Sequence, residues 1–592
     1  MLKYLTQTNR ITRQRGRPFH ANPLLAQRLP RWRSIVLQCL LLCCFAGLAV
    51  RAVWLQLVSD EFLQKQGAYR YARTLELPGT RGQILDRDGA LLAASVPAVS
   101  VWAIPEDLRR AAPETLDSLA SSLGLERAEI ERRISAAKPI VYLKRQLDPG
   151  AGRALMDKGI RGIGLAKEFR RVYPQGAVMG QLVGFVGRDG TGLEGFELAH
   201  QDRLAGVPGL RRVIKNRLGN IVDDMGSGVE PRPGKDSVLS ISSQIQYVAF
   251  KQVKEAVETF QAKAGSAIVV DARSGEILAL ANYPGYDPNA SAKASSAALR
   301  NRAITDTYEP GSVMKTFTVA LAIERGKVTP DSMIDTGGGR FVINGAPISD
   351  TSAHGLISVS EVLKYSSNIG TAKLALGLAP RDMWEMFTKL GFGQPPQLGF
   401  PGAAAGRVRP HASWRPIEQA TMSYGNGIAV SLVQLARAYT VFANDGQVIP
   451  LTLEKRSAPP GGTQVLSPAT ARRMRQMLEE VVDSGTARTG RIAGYRVGGK
   501  TGTAYKAENG RYVFPRKYIA SFVGMVPMSA PRFIVAVMID EPSGRQHYGG
   551  QVAAPAFVGI AAQALHAANI APDAATANLP SPAETASAPI ED

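Results

Sequence analysis

Residues 35–58 constrain this 592-residue chain more than any other stretch. From Ile35 to Val50 the sequence is apolar except for Gln38, and after Arg51 apolar residues continue to Val58. Together these supply the ~20 residues that a helix needs to cross a bilayer. Ahead of them stand Lys3, Arg10, Arg13, Arg15, Arg17, Arg28, Arg31 and Arg33, and no acidic residue precedes Asp60. Basic flanks stay on the cytoplasmic side. Residues 1–33 therefore read as a cytoplasmic arm, 34–58 as a transmembrane anchor, and the remainder as exported. A cleaved signal peptide is the competing reading, but the run is longer than a signal core and no small-x-small site follows it. The arm contributes much of the formal net charge of +20. It is not read as a nucleic-acid binder, because no aromatic-interleaved module accompanies it.

All three cysteines, Cys39, Cys43 and Cys44, lie inside this span. The exported part needs no disulfide and is indifferent to an oxidising compartment. Cys39, Cys43 and Gly47 form a small-xxx-small stripe that would let another membrane helix approach, with lipid-facing filler as the plainer alternative.

The length implies two or three folded units, and the 45 % hydrophobic content implies large cores. Residues 62–77 read as a polar extension. Residues 81–93, Arg-Gly-Gln-Ile-Leu-Asp-Arg-Asp-Gly-Ala-Leu-Leu-Ala, read as two short strands around an Asp-Gly turn. An ion pair among Arg81, Asp86 and Arg87 is expected to hold that hairpin. Residues 105–165 read as short Arg-rich helices, and 171–197 as a second β-rich patch. Nothing catalytic stands out across 59–235, which reads as a spacer. The segment Glu230-Pro231-Arg232-Pro233-Gly234 reads as a linker.

Beyond the linker, 244–260 has the pattern of an amphipathic helix. Apolar runs at 267–270 and 277–281 form one hairpin, and runs at 518–526 and 533–539 a second. Strands at both ends of a region with helices between them predict an α+β domain around one antiparallel sheet of sequence-distant pieces. Ser358/Glu361 and Ser431/Gln434 read as capping boxes. Ser423-Tyr424-Gly425-Asn426-Gly427 reads as a structural turn beside the site, in preference to a phosphate cradle. From 571 the Ala/Pro-rich composition predicts a disordered tail.

The chemistry is concentrated at Tyr308-Glu309-Pro310-Gly311-Ser312-Val313-Met314-Lys315. Helix is predicted over 313–324, so Ser312 and Lys315 share one face of its first turn. Lysine can deprotonate a serine only if burial or a second cation drives it neutral. Ser-x-x-Lys alone is weak, and Ser135-Ala136-Ala137-Lys138 is a second copy in a solvated, Arg-rich stretch. Ser312 stands out through its company, Ser366-Ser367-Asn368 and then Lys500-Thr501-Gly502-Thr503, in the order found in penicillin-binding proteins and serine β-lactamases. Rival chemistries lack their motifs: there is no Gly-x-Ser-x-Gly and no His-Glu-x-x-His. The six histidines form no ligand spacing, so neither metal, nucleotide nor other cofactor is implied.

Arg81–Ala93, Gly192–Glu197, Arg300–Lys315, Ser423–Gly427 and Tyr548-Gly549-Gly550 extend the match beyond the three short motifs. The chain resembles the class B penicillin-binding proteins, in their cell-division form, over nearly its whole length. The resemblance implies a pedestal or dimerisation-type domain over 59–235 and a transpeptidase domain over 236–570. It also implies a single-pass inner-membrane, periplasmic peptidoglycan D,D-transpeptidase at the septum, acylated by β-lactams. Ser312 would be the nucleophile and Lys315 the base, with Lys500 the second cation. Ser366 would relay a proton to the leaving amine, and Asn368 would orient Lys315 and the donor amide. Thr501 and Thr503 would bind the substrate carboxylate, and Gly502 would let substrate lie along the strand. The backbone N–H groups of Ser312 and Thr503 would form the oxyanion hole. Implied partners are peptidoglycan stem peptides, the membrane, a polytopic glycosyltransferase and other division proteins. A D,D-carboxypeptidase or β-lactamase, a β-lactam sensor, and a non-enzymatic scaffold remain as alternatives.

Overall fold

The computed structural model describes residues 31–55, 72–215, 221–224, 228–508, 511–544 and 546–574. It divides into two units, 1–76 with 210–229, and 77–209 with 230–592. In the first, the basic-flanked apolar run forms the helix Arg31–Val53. Its 23 residues, at about 1.5 Å each, are long enough to span a hydrocarbon core of about 30 Å, and they are apolar enough to do so. The unit's other described element is a three-stranded sheet, with Gly209–Lys215 between Ala72–Leu77 and Ile221–Asp224. Most of the extension expected over 62–77 lies outside the described residues.

The second unit begins with the expected hairpin, Ile84–Leu85 against Leu91–Ala103. Its charged residues do not pair with one another, contrary to expectation. The Asp86 carboxylate accepts from the Asp88 and Ala90 N–H groups at 2.9 and 2.7 Å and from Ser243 Oγ at 2.7 Å. Arg87 reaches Glu276 at 3.4 Å. Arg81 and Arg171 grip the two oxygens of Glu197 at 2.5 and 2.7 Å, with Glu197 fully buried. The true partner was 116 residues away, which no local pattern can reveal. A small separate core of Leu108, Leu119, Ile130, Leu143 and Leu155 stabilises the helices around 105–156. The strand Val141–Leu147 lies among them where helix was expected.

The β-rich patch expected over 171–197 is corrected as well. The strand Ile163–Val172 ends there, and short helices Gly180–Val183 and Gly195–Ala199 follow. Gly184 has φ +78°, and a side chain on it would strike the Glu194 carbonyl. These glycines serve close loop-on-loop packing, which alternation of apolar residues mimics in sequence.

The catalytic-type domain is built as read. Helix α1 (Ser243–Thr259) precedes strands β1 (Ala264–Asp271) and β2 (Ile277–Tyr283). Helices α2 (Lys315–Glu324) and α3 (Asn368–Leu376) fall in the middle. Strands β3 (Gly498–Tyr505), β4 (Tyr518–Val526) and β5 (Phe533–Asp540) and helix α4 (Ala554–Ala567) close the chain. The sheet is antiparallel in the order β2-β1-β5-β4-β3. Every residue of β1 and β5 is buried, so both faces are covered. Helices α1 and α4 pack on each other and on the sheet, and the helix Leu432–Ala443 packs on β5 and β1. The order leaves β3 at an edge. Both capping boxes form. Asp573, read as part of the tail, accepts from the backbone N–H groups of Arg496 and Ser529 at 2.7 and 3.0 Å. Residues 575–592 lie outside the described residues.

Candidate active site

The Ser312 segment opens as a 3₁₀ turn, Gly311–Met314, before α2 begins at Lys315. Gly311 has φ +56°, a conformation that side chains resist. A Cβ there would stand 2.9 Å from the Thr503 carbonyl oxygen, so the turn presses on β3. A Cβ on Gly502 would stand 2.7 Å from the Pro310 carbonyl and 2.9 Å from Val313, besides striking Ser521 Oγ. Gly502 was expected to make room for substrate along β3. Within the protein, the space it leaves is taken up by the serine's own turn. A side chain on Gly425 would strike the Gly311 carbonyl, which places the 423–427 turn beside the site as read. Thr318 Oγ1 donates to the Ser423 carbonyl at 2.9 Å and ties α2 to the same turn.

Ser312 is half-buried, and among the described residues its hydroxyl has no hydrogen-bond partner. One turn on, Lys315 is fully buried and donates to Ser366, to its carbonyl and to its Oγ at 3.2 Å. Ser366 has φ +62°, and in this left-handed conformation its carbonyl and hydroxyl both face Lys315. Such a backbone costs of order 1–3 kcal/mol and persists only where its surroundings hold it. Lys500, on β3 and also fully buried, donates to the same Ser366 Oγ at 3.0 Å. Three segments far apart in sequence thus converge on one hydroxyl shared by two lysines.

Burial sets the charge of both amines. Lys315 is held well below the ordinary lysine range by loss of hydration first and by the Lys500 cation second, with Asp350 opposing. Lys500 is pushed down to about 7 by its burial. Both amines are thus driven towards the uncharged form, and because they share one hydroxyl the charge of each bears on the other.

The remaining sequence-selected residues have partners of their own. Thr501 Oγ1 lies 3.4 Å from both Lys500 Nζ and Thr486 Oγ1. Thr503 Oγ1 accepts the Gly549 N–H at 3.0 Å. Asn368 Nδ2 donates to the Ser349 carbonyl at 2.8 Å and makes no bond to Lys315, unlike the expected role. Ser135, in the other Ser-x-x-Lys, donates to the Arg132 carbonyl on an exposed helix end, far from any such arrangement.

Sequence reading missed Asp350. Its carboxylate accepts from Ser367 Oγ at 2.5 Å and from the Asn368 and Ile369 N–H groups at 2.5 and 3.0 Å. It holds the turn in which Ser366 sits, and no local signal marks an aspartate that caps a helix 18 residues later. Among the described residues, Lys500 and Asp350 are the charged groups that act on the Lys315 amine.

A family model for the penicillin-binding protein transpeptidase domain matches residues 265–563, and one for the penicillin-binding protein dimerisation domain matches 76–239. A probable peptidoglycan D,D-transpeptidase, PenA of Neisseria meningitidis, is 42 % identical over 536 residues, 89 % of this chain and 91 % of the relative. The peptidoglycan D,D-transpeptidase FtsI of Escherichia coli is 36 % identical over 553 residues, 92 % of this chain and 93 % of the relative. The solved transpeptidase domain of Burkholderia pseudomallei penicillin-binding protein 3 is 51 % identical, with a TM-score of 0.53, and covers 57 % of this chain and 98 % of its own. A peptidoglycan synthetase from Bifidobacterium adolescentis, 24 % identical with a TM-score of 0.68, covers 85 % of this chain and 98 % of its own and shares the fold.

Proposed function

This chain belongs to the penicillin-binding proteins, and from that premise we propose that it is a peptidoglycan D,D-transpeptidase that cross-links septal wall through an acyl-enzyme on Ser312. The observation that carries the reading is the single Ser366 hydroxyl shared by the buried Lys315 and Lys500, one helical turn from an unbonded serine. Uncharged Lys315 takes the Ser312 proton as Oγ attacks the carbonyl between the last two D-alanines of a donor stem peptide. The oxyanion that forms is stabilised by the backbone N–H groups of Ser312 and Thr503, each worth roughly 3 kcal/mol in such a site. The C–N bond then breaks. The proton moves from Lys315 through Ser366 to the departing D-alanine amine, leaving an ester on Ser312. An acceptor stem-peptide amine attacks that ester, its proton returns along the same path, and the cross-link forms as Ser312 is released.

The Lys500 ammonium and the Thr501 and Thr503 hydroxyls receive the donor's terminal carboxylate. The donor chain adds to the open edge of β3, a mode in which backbone hydrogen bonds supply affinity. A β-lactam, whose strained amide stands in for the same peptide bond, acylates Ser312 and stays. The Arg31–Val53 helix anchors the chain in the inner membrane with both domains in the periplasm, and the resemblance to the cell-division form of the family is what favours work at the division septum. A polytopic glycan polymerase and other division proteins are the fitting partners there.

The test uses the full chain in detergent, a D-Ala-D-Ala donor peptide and an amine acceptor. Cross-linked product supports the proposal. Free acid alone means a carboxypeptidase, and a trapped acyl-enzyme alone means a sensor. Labelled penicillin is expected to add at Ser312 and not to the Ser312→Ala variant; intact-mass detection of an adduct on that variant overturns the assignment.

A further inference from the structure

We propose that Glu309 is a positioning residue for the acylation of Ser312, acting as the clamp that fixes the Pro310-Gly311-Ser312 turn to two neighbouring segments. The inference rests on the acyl-enzyme chemistry above and adds a residue that does not touch substrate. Glu309 lies three positions before the nucleophile and is half-buried. One carboxylate oxygen accepts the Gly427 N–H at 2.7 Å, and the other accepts the Tyr512 hydroxyl at 3.0 Å. Asn426 Nδ2 donates to that Tyr512 hydroxyl at 3.2 Å, which closes a small ring of polar contacts. Both carboxylate oxygens are therefore committed within the protein.

The clamp acts on a segment already gripped at its ends. Tyr308 and Val430 exchange backbone hydrogen bonds, both at 3.0 Å. Gly311 packs directly on Gly425 and, across its other side, on the Thr503 carbonyl. Between these two grips the chain must reverse through Pro310 and the left-handed Gly311, and Glu309 is the side chain that holds that interval. Burial raises its carboxyl, and the Gly427 N–H, the Tyr512 hydroxyl and Arg407 act against that rise. Releasing it would leave the Ser312 N–H and Oγ free to drift against β3, where the Thr503 N–H must meet the same oxyanion. A displacement of about 1 Å at such a site can cost about 10²-fold in rate.

The experiment follows acylation of the full chain in detergent by a fluorescent penicillin, with the rate normalised to the number of sites that finally label. Glu309→Ala is expected to lower the limiting first-order acylation constant about 10- to 100-fold, with the apparent binding constant within about threefold. Glu309→Gln is expected to stay within about threefold of wild type, because its amide oxygen still accepts the Gly427 N–H and its NH₂ donates to Tyr512 Oη. Tyr512→Phe should fall between the two, and it carries the test if Glu309→Ala does not fold. Three results overturn the proposal: a wild-type rate in Glu309→Ala or Tyr512→Phe, fewer competent sites with an unchanged rate per site, or Glu309→Gln as slow as the alanine variant. The function proposed above fails separately, if Ser312→Ala still labels.

Discussion

Replacing Gly502 by alanine tests the interlock between β3 and the nucleophile's turn. The new Cβ would meet the Pro310 carbonyl oxygen at 2.7 Å and Val313 at 2.9 Å, besides Ser521 Oγ. An unstrained carbon–oxygen contact begins near 3.3–3.6 Å. Either the Pro310-Gly311-Ser312 turn withdraws by more than about half an ångström, or β3 is displaced by as much; each separates the Ser312 and Thr503 backbones proposed as the two oxyanion donors. Misplacements approaching 1 Å cost about 10²-fold, or about 2.7 kcal/mol of transition-state stabilisation. The assay is the first-order limit of penicillin acylation for Gly502→Ala, with folding checked by thermal unfolding. Adding Ser521→Ala removes one clash and leaves the backbone carbonyl clash intact, so the double variant should recover less than half of the lost free energy. Among the described residues the buried Ser521 Oγ makes no well-formed hydrogen bond and has only the Tyr308 hydroxyl near it, so that substitution alone should be nearly silent. A Gly502→Ala enzyme acylating at the wild-type rate, or full rescue by Ser521→Ala, would refute the claim that this glycine exists for the serine's turn.

Lys500→Met should have two opposite effects. An unfolded lysine titrates near 10.4 and this one near 7, so the folded chain binds fewer protons between those values and its stability falls as pH drops from about 10.4 to about 7. Methionine removes that deficit: its gain in thermal midpoint should be full below pH 7 and fade towards pH 10, and a gain that does not vary with pH contradicts the sign. The same variant should acylate far more slowly, with its acidic limb moved to higher pH, because burial remains but the neighbouring cation that helps keep Lys315 neutral is gone; an unmoved limb denies Lys500 that influence. Glu197→Ala strands the Arg81 and Arg171 guanidiniums, only 7 % and 8 % exposed, and should cost about 3–5 kcal/mol in denaturant unfolding. A loss below about 1 kcal/mol would mean that water reaches them.

The sequence by itself determined whatever depends on spacing along one chain. The Arg31–Val53 helix follows from an unbroken apolar run, and the placing of Ser312 one turn ahead of Lys315 from a three-residue step where a helix begins. The hairpins and capping boxes are equally local, and all were legible. Tertiary structure decided everything that required two distant segments to meet. Arg81 takes Glu197 in place of Asp86, Gly502 packs against Pro310, and Asp350 and Glu309 bond to segments to which no readable pattern connects them. The charge on Lys315 belongs to the same class. A lysine is a cation in any sequence, and it is driven towards the neutral amine only when folding strips its water and brings Lys500 beside it, an energy set by burial and distance, which no residue carries alone.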